Sequence, residues 1–249
     1  MKYFLELSYN GKAYHGWQNQ PNATSVQEVI ENALTLLLKE KISIVGAGRT
    51  DAGVHASQMF AHFETDFHLI SEDLVHKMNS LLPQDIALRN VFKVKSDAHA
   101  RFDALSREYL YRISQEKNVF SFGDCYYVKQ KLDVSKMNEA AQILLLYKDF
   151  QCFSKSNTDV KTYYCKIMRA EWKMINQELH FTIKADRFLR NMVRAIVGTL
   201  VKIGLGKIEV NTMHHILKSK DRAEAGFSAP AHALYLQHIE YPEFITLNE

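Results

Sequence analysis

The residues best equipped for chemistry lie together in Gly46-Ala47-Gly48-Arg49-Thr50-Asp51-Ala52-Gly53-Val54-His55-Ala56. The three glycines permit positive φ and let a ligand approach the backbone closely. Arg49 and Asp51 sit two apart in this tight loop, just after a short apolar strand at residues 42–45, where a rigid scaffold commonly holds functional side chains. A carboxylate there can act as general base or as nucleophile. Other glycine-rich chemistries fail on spacing. A dinucleotide fingerprint needs glycine where Asp51 stands, no Gly-Lys-Ser/Thr closes a phosphate loop, and no serine sits in a GxSxG elbow. Asp51 and His55 raise the question of a metal, but His62 is the only other histidine nearby and no third ligand follows, so no metal is expected. The residues alone also fit a plain hairpin turn with Asp51 and Arg49 as a surface ion pair.

The elements that must position this loop follow from periodicity. Lys2–Tyr9 alternates as a strand. Ser25 followed by Glu28 is a capping box, and Val26, Val29, Ile30, Ala33, Leu34 and Leu37 repeat at helical spacing behind it, predicting a helix over residues 25–40. Strands are expected at 42–45 and 58–64, then a helix capped by Ser71 with Glu72 and Asp73 in its first turn and Pro83 beyond its end. The second half repeats the mixture. A strand is expected at 107–113, with Tyr109, Tyr111 and Ile113 on one face. A helix follows at 135–147, and a hairpin of 166–175 and 178–184 turns at Asn176 and Gln177. A helix at 187–203 has Leu189, Val193, Ile196, Val197 and Leu200 as its core stripe, and a last strand covers 233–241. On that helix Arg187, Arg190 and Arg194 follow at i, i+3 and i+7, one basic stripe starting where the helix dipole disfavours cations, which points to a polyanion rather than to stability. Sequential hairpins and helices predict an α+β fold in two similar halves, 1–105 and 106–249.

Composition narrows the classes. With 249 residues, 47% of them hydrophobic, the chain can bury a substantial core. A net charge of +3 does not announce a nucleic-acid binder, although the 31 Lys and Arg can cluster locally. Cys125, Cys152 and Cys165 show no zinc spacing and read as reduced packing thiols. No secretory h-region and no apolar run near the ~20 residues of a membrane span are seen, so a cytoplasmic protein is expected.

The run from Gly46 to Ala56 resembles the signature of the tRNA pseudouridine synthase A family, with Asp51 at the position of the family's catalytic aspartate. The resemblance covers nearly the whole chain. Tyr9-Asn10-Gly11, Tyr14, Gly16-Trp17-Gln18-Asn19-Gln20-Pro21 and Ser25-Val26-Gln27 match an N-terminal block. His99-Ala100-Arg101-Phe102-Asp103-Ala104 with Arg107-Glu108-Tyr109-Leu110-Tyr111 match a middle block. Phe188-Leu189-Arg190-Asn191-Met192-Val193-Arg194 with Ile196-Val197-Gly198 match a C-terminal block. Ser154, Lys161 and Ala233 depart from the family pattern, where Arg, Arg and Gly are usual.

The resemblance implies two ferredoxin- or RRM-like halves joined into a mixed, mostly antiparallel sheet, with helices on one face and an active-site cleft on the other. It implies isomerisation of uridine to pseudouridine at positions 38 to 40 of the tRNA anticodon arm by a homodimer, with no cofactor. Asp51 would attack the nucleotide covalently or abstract the ribose 2′ proton. Tyr109 would pack on the uracil, and Arg194 would keep the carboxylate oriented and ionised. Arg49 would splay the target nucleotide from its stack, with His55 beside it. Arg101, Phe102, Lys155, Lys161, Arg187 and Arg190 are candidate RNA contacts. The competing readings are a non-catalytic RNA-binding module on the same scaffold and a nucleotide-binding enzyme of another kind.

Overall fold

The computed structural model describes residues 1–155 and 160–245. It has an α+β fold in two compact units, one of Met1–Leu105 with Leu236–Glu249, the other of Ser106–Tyr235. Among the described residues no helix is long and apolar enough to cross a membrane.

In the first unit, strand β1 (Lys2–Tyr9) is paired along both edges, and Tyr3, Phe4 and Leu5 are buried although they point to alternate faces. Ser25 caps helix α1 (Val26–Leu38) by accepting the Glu28 N–H at 3.1 Å, as the capping box predicts. Strand β2 is only Val45–Gly46, and β3 (His55–Glu64) begins three residues earlier than alternation indicated. Helix α2 (Ser71–Leu81) departs in detail. Its N-cap is Ile70, whose carbonyl accepts the Leu74 N–H, so Ser71 already lies inside the first turn and does not cap. Strand β4 (Ile86–Val94) and β3 both pair antiparallel with β1. The Asn79 side chain of α2 brackets the backbone of Leu88 on β4, donating to its carbonyl and accepting its N–H, each at 2.8 Å.

The second unit is built the same way. Strand β5 (Ser106–Ser114) pairs antiparallel with β8 (Glu178–Ala185), which pairs with β7 (Ile167–Ile175); the two-residue β6 (Tyr126–Tyr127) runs parallel to β5. The β7–β8 turn is Asn176–Gln177, with φ of 48° and 68°, the double left-handed conformation that matches strand twist. Asp133 caps helix α3 (Val134–Ile143). Asn138 on α3 brackets Trp172 of β7, accepting its N–H at 2.7 Å and donating to its carbonyl at 3.1 Å. The same device therefore closes an outward-facing strand edge in each unit, where unpaired backbone groups would invite aggregation.

Helix α4 (Met192–Gly204) is buried nearly all round, including Val193, Ile196, Val197 and Leu200 of the expected stripe. It starts five residues later than expected. Asn191 sits at φ 65°, and the Asp186 carboxylate takes the N–H groups of Lys166 and Arg187 at 2.8 and 2.7 Å, holding residues 186–190 in irregular backbone. Arg187, Arg190 and Arg194 therefore do not form one helical stripe; only Arg194 is on the helix. Helix α5 (Thr212–Ser219) follows, and residues 226–229 then cross α4, with Gly226 N–H donating to Thr199 Oγ1 at 2.8 Å. A Cβ at Gly198 would sit 1.8 Å from the Phe227 carbonyl oxygen. Gly198→Ala is thus expected to cost about 1–3 kcal/mol by forcing that crossing apart, read as a lower urea midpoint. Strand β9 (Leu234–Glu240) ends the fold; its residues from Leu236 lie beside β3 in the first unit, where Gln58 Oε1 accepts the Ile239 N–H at 3.0 Å.

Buried thiols agree with a packing role. Cys152 and Cys165 are unpaired, and burial pushes both up to about 12, so neither is a nucleophile at neutral pH.

Candidate active site

Strand β3 is preceded by the loop that carries Asp51, and the loop is anchored at Ala47, at Thr50 and at Val54. Ala47 N–H bonds to the Phe60 carbonyl at 2.7 Å. Thr50 is buried, its Oγ1 2.9 Å from the Tyr9 hydroxyl, and its carbonyl accepts the Trp17 N–H at 3.2 Å. Asp51 opens a β-turn closed by Val54 N–H on the Asp51 carbonyl at 3.1 Å, with Gly53 at φ 79°. Of the other two glycines, a Cβ at Gly46 would collide with the Trp17 indole at 2.5 Å, while Gly48 has nothing within 4 Å. Arg49 is exposed and Asp51 half-buried, either side of the inward-pointing Thr50. The result is a carboxylate held at a fixed place with solvent access.

His55 is placed otherwise than its role as an RNA contact requires. It is 2% exposed, and its Nδ1 accepts the Gly11 N–H at 3.1 Å, tying the loop to the 3₁₀ turn after β1. Tyr14 in that segment donates to Asp85 Oδ1 at 2.6 Å; burial first, then this carboxylate, raises its pKa well above the usual phenol range. Trp17, whose N–H meets Thr50, is buried against Tyr9.

Arg101 and Phe102 are also in the first unit, both exposed, with the guanidinium 5.7 Å from the ring centroid. The neighbouring His62 is nearly buried. Burial and then the charge of His99 lower it from 6.5 to about 4. The folded state thus refuses a proton that the unfolded chain accepts below 6.5. Stability is full above that pH and falls as pH drops toward 4, by an amount on the order of 1–3 kcal/mol. Urea midpoints between pH 7 and 4.5 should show this slope, and His62→Gln should flatten it.

In the second unit, Tyr109 shares a face of β5 with the buried Tyr111 and Ile113 but is itself partly exposed. Its ring meets Phe188 edge-on at 5.2 Å, and both rings are partly exposed. Tyr111 is a core residue whose hydroxyl donates to the Pro230 carbonyl at 2.9 Å. Arg194, in the first turn of α4, donates from Nε to the Ala229 carbonyl at 2.7 Å, and the Ala229 N–H returns to the Arg194 carbonyl at 3.0 Å. This exchange fixes the direction of the guanidinium. Behind it, Arg222 and Asn191 both donate to Ser228 Oγ. Lys155 and Arg190 are exposed and joined through the Lys155 N–H and the Arg190 carbonyl at 3.0 Å; Arg187 is part-buried, and Lys161 is exposed. Ser154 is buried, its hydroxyl on the Lys155 carbonyl.

Phe188 was not singled out from the sequence as a partner of Tyr109. The available signal was an aromatic placed between Arg187 and Arg190, an interleaving typical of surfaces that stack bases. Among the described residues, no group of three or more His, Cys, Asp or Glu is placed to hold a metal ion.

Comparison with known proteins adds the family. A family model described as tRNA pseudouridine synthase matches residues 7–103 and 140–242. A tRNA pseudouridine synthase A of Bacteroides fragilis is 52% identical over 246 residues, 98% of this chain and 98% of the relative. One from Porphyromonas gingivalis is 49% identical over 250 residues, 99% of each chain. A more distant relative of the same name, from Bacillus pumilus, is 39% identical over 245 residues, 97% of this chain and 99% of its own.

Proposed function

The chain belongs to the tRNA pseudouridine synthase family, and from that membership we propose that it isomerises uridine to pseudouridine at positions 38 to 40 of the tRNA anticodon arm, with Asp51 as the reacting carboxylate. The observation that carries the reading is the presentation of Asp51. Its neighbour Thr50 is locked to Tyr9 and Trp17, its turn is closed at Val54, and its own side chain stays half-exposed.

The reaction breaks the bond between uracil N1 and ribose C1′, forms one between C5 and C1′, releases the C5 proton and returns a proton to N1. It is redox-neutral and needs no group donor, so the chain's own side chains suffice. Asp51 works on the ribose side, by attack on the nucleotide or by removal of the 2′ proton. Tyr109 and Phe188 give the detached uracil an aromatic surface on which to turn. Arg194 orients the carboxylate and keeps it ionised. Arg49 is the exposed cation beside Asp51 and helps hold the splayed nucleotide, whose unstacking costs a few kcal/mol. His55 serves from inside, by holding the Asp51 loop on Gly11 rather than by touching RNA. Arg101, Phe102, Lys155, Lys161, Arg187 and Arg190 contact the RNA outside the reacting nucleotide. The enzyme works in the cytoplasm as a homodimer.

Tritium release tests the activity. Purified protein incubated with tRNA labelled at uridine C5 should release tritium to water with no added cofactor. Absence of release from any tRNA would overturn the proposal.

A further inference from the structure

The Arg101–Phe102 loop of the first unit stands on two histidines that the reaction does not use. His99 Nδ1 accepts the N–H groups of Arg101 at 3.1 Å and Phe102 at 3.3 Å. The His99 N–H donates to Asp103 Oδ2 at 2.7 Å, and the Asp103 N–H returns to the His99 carbonyl at 3.1 Å. Beneath them His62 of β3 meets the His99 ring edge-on at 4.7 Å, and its Nδ1 accepts the Ala100 N–H at 3.1 Å. The Tyr241 hydroxyl donates to the Ala100 carbonyl. Every backbone N–H from His99 to Asp103 is therefore satisfied inside this small structure. On its outer side Phe102 is 74% exposed, with the His99 ring at 4.2 Å and the Arg101 guanidinium near its face. A rigid loop that spends this much hydrogen bonding to hold an aromatic ring and a cation in solvent is organised for a ligand with π-faces and phosphates.

We propose that His62 and His99 are positioning residues for tRNA, holding Arg101 and Phe102 as a preset platform on which an unpaired base and its phosphate settle. The inference rests on the proposed role of Arg101 and Phe102 as RNA contacts. It requires both Nδ1 atoms to be unprotonated, since a protonated ring would turn N–H toward N–H. The charged groups that bear on the pair are Lys2 of β1, Glu64 of β3, and Arg101 and Asp103 of the loop. Burial is the largest influence on both rings and lowers both below the ordinary histidine value, against the opposing pull of Asp103. The platform is thus assembled at neutral pH and loosens in acid.

The test compares tRNA affinity and kcat for wild type, His99→Ala, His99→Asn, Arg101→Ala, Phe102→Ala and the His99→Ala/Phe102→Ala double variant. His99→Ala should weaken affinity about tenfold with kcat at saturating tRNA unchanged. His99→Asn, whose side-chain oxygen can replace Nδ1 as acceptor, should restore wild-type affinity at neutral pH. His99→Ala should add nothing in the Phe102→Ala background. Weakening by Phe102→Ala without weakening by His99→Ala, or additive losses, would overturn the inference alone. Unchanged affinity in Phe102→Ala and in Arg101→Ala would remove the platform as an RNA contact and overturn both. Should His99→Ala not fold, His99→Asn carries the test. Wild-type affinity should fall relative to His99→Asn as the pH drops below about 6.5 toward 4, and parallel profiles over that range would contradict the proposal.

Discussion

Asp51→Asn is expected to cut tritium release from C5-labelled tRNA by at least about 10⁴-fold while the protein still folds and binds tRNA. Asparagine has nearly the same shape, and the bonds that shape the loop are made by Thr50, Ala47, Val54 and His55 rather than by the Asp51 carboxylate oxygens alone. What is lost is the capacity to attack carbon or accept a proton. Affinity should hold or rise, because a carboxylate facing a phosphate backbone repels it. This separates an enzyme from an RNA-binding module on the same scaffold, for which the substitution would change nothing but affinity. Normal turnover by Asp51→Asn would remove Asp51 from the mechanism.

Arg194→Ala should lower the single-turnover rate with saturating tRNA by about 10²–10³-fold. Its guanidinium is aimed by the exchange with Ala229, and that segment is braced in turn by Ser228 with Arg222 and Asn191. So much bracing for one side chain is what a group acting on developing charge requires. Arg194→Lys should rescue only partly, because an ammonium cannot both keep the Nε bond to Ala229 and present a planar fork. A wild-type single-turnover rate in Arg194→Ala would contradict the role. A loss confined to affinity would move Arg194 among the RNA contacts.

What could be read from the sequence was local and periodic. Ser25 with Glu28 marked the start of α1, and Asn176–Gln177 marked the hairpin, because each feature is complete within a few residues. Strand β4 escaped notice because a bulge opposite Glu6 and Leu7 breaks its alternation. Its buried residues Ile86, Leu88, Val91 and Val94 follow spacings of two, three and three, closer to a helix than to a strand. The start of α4 was misplaced because the apolar pattern runs back through Leu189, while Asp186 and Asn191 hold that stretch out of helix through contacts no pattern shows. The site divides in the same way. The tight loop that presents Asp51 was legible because glycines crowd around it. The buried position of His55 was not, since its partner Gly11 lies 44 residues away. Nor was the bracing of Arg194 by Ala229, or the histidine support beneath Arg101 and Phe102, because these are tertiary contacts between residues with no mutual spacing rule.

Mapping the product tests the central claim most directly. Wild-type protein is incubated with unmodified tRNA, and pseudouridine is then located by carbodiimide labelling and primer extension. New stops are expected at positions 38 to 40 of the anticodon arm, and none with Asp51→Asn. Stops confined to other arms, or no stops at all with folded wild-type protein, would contradict it.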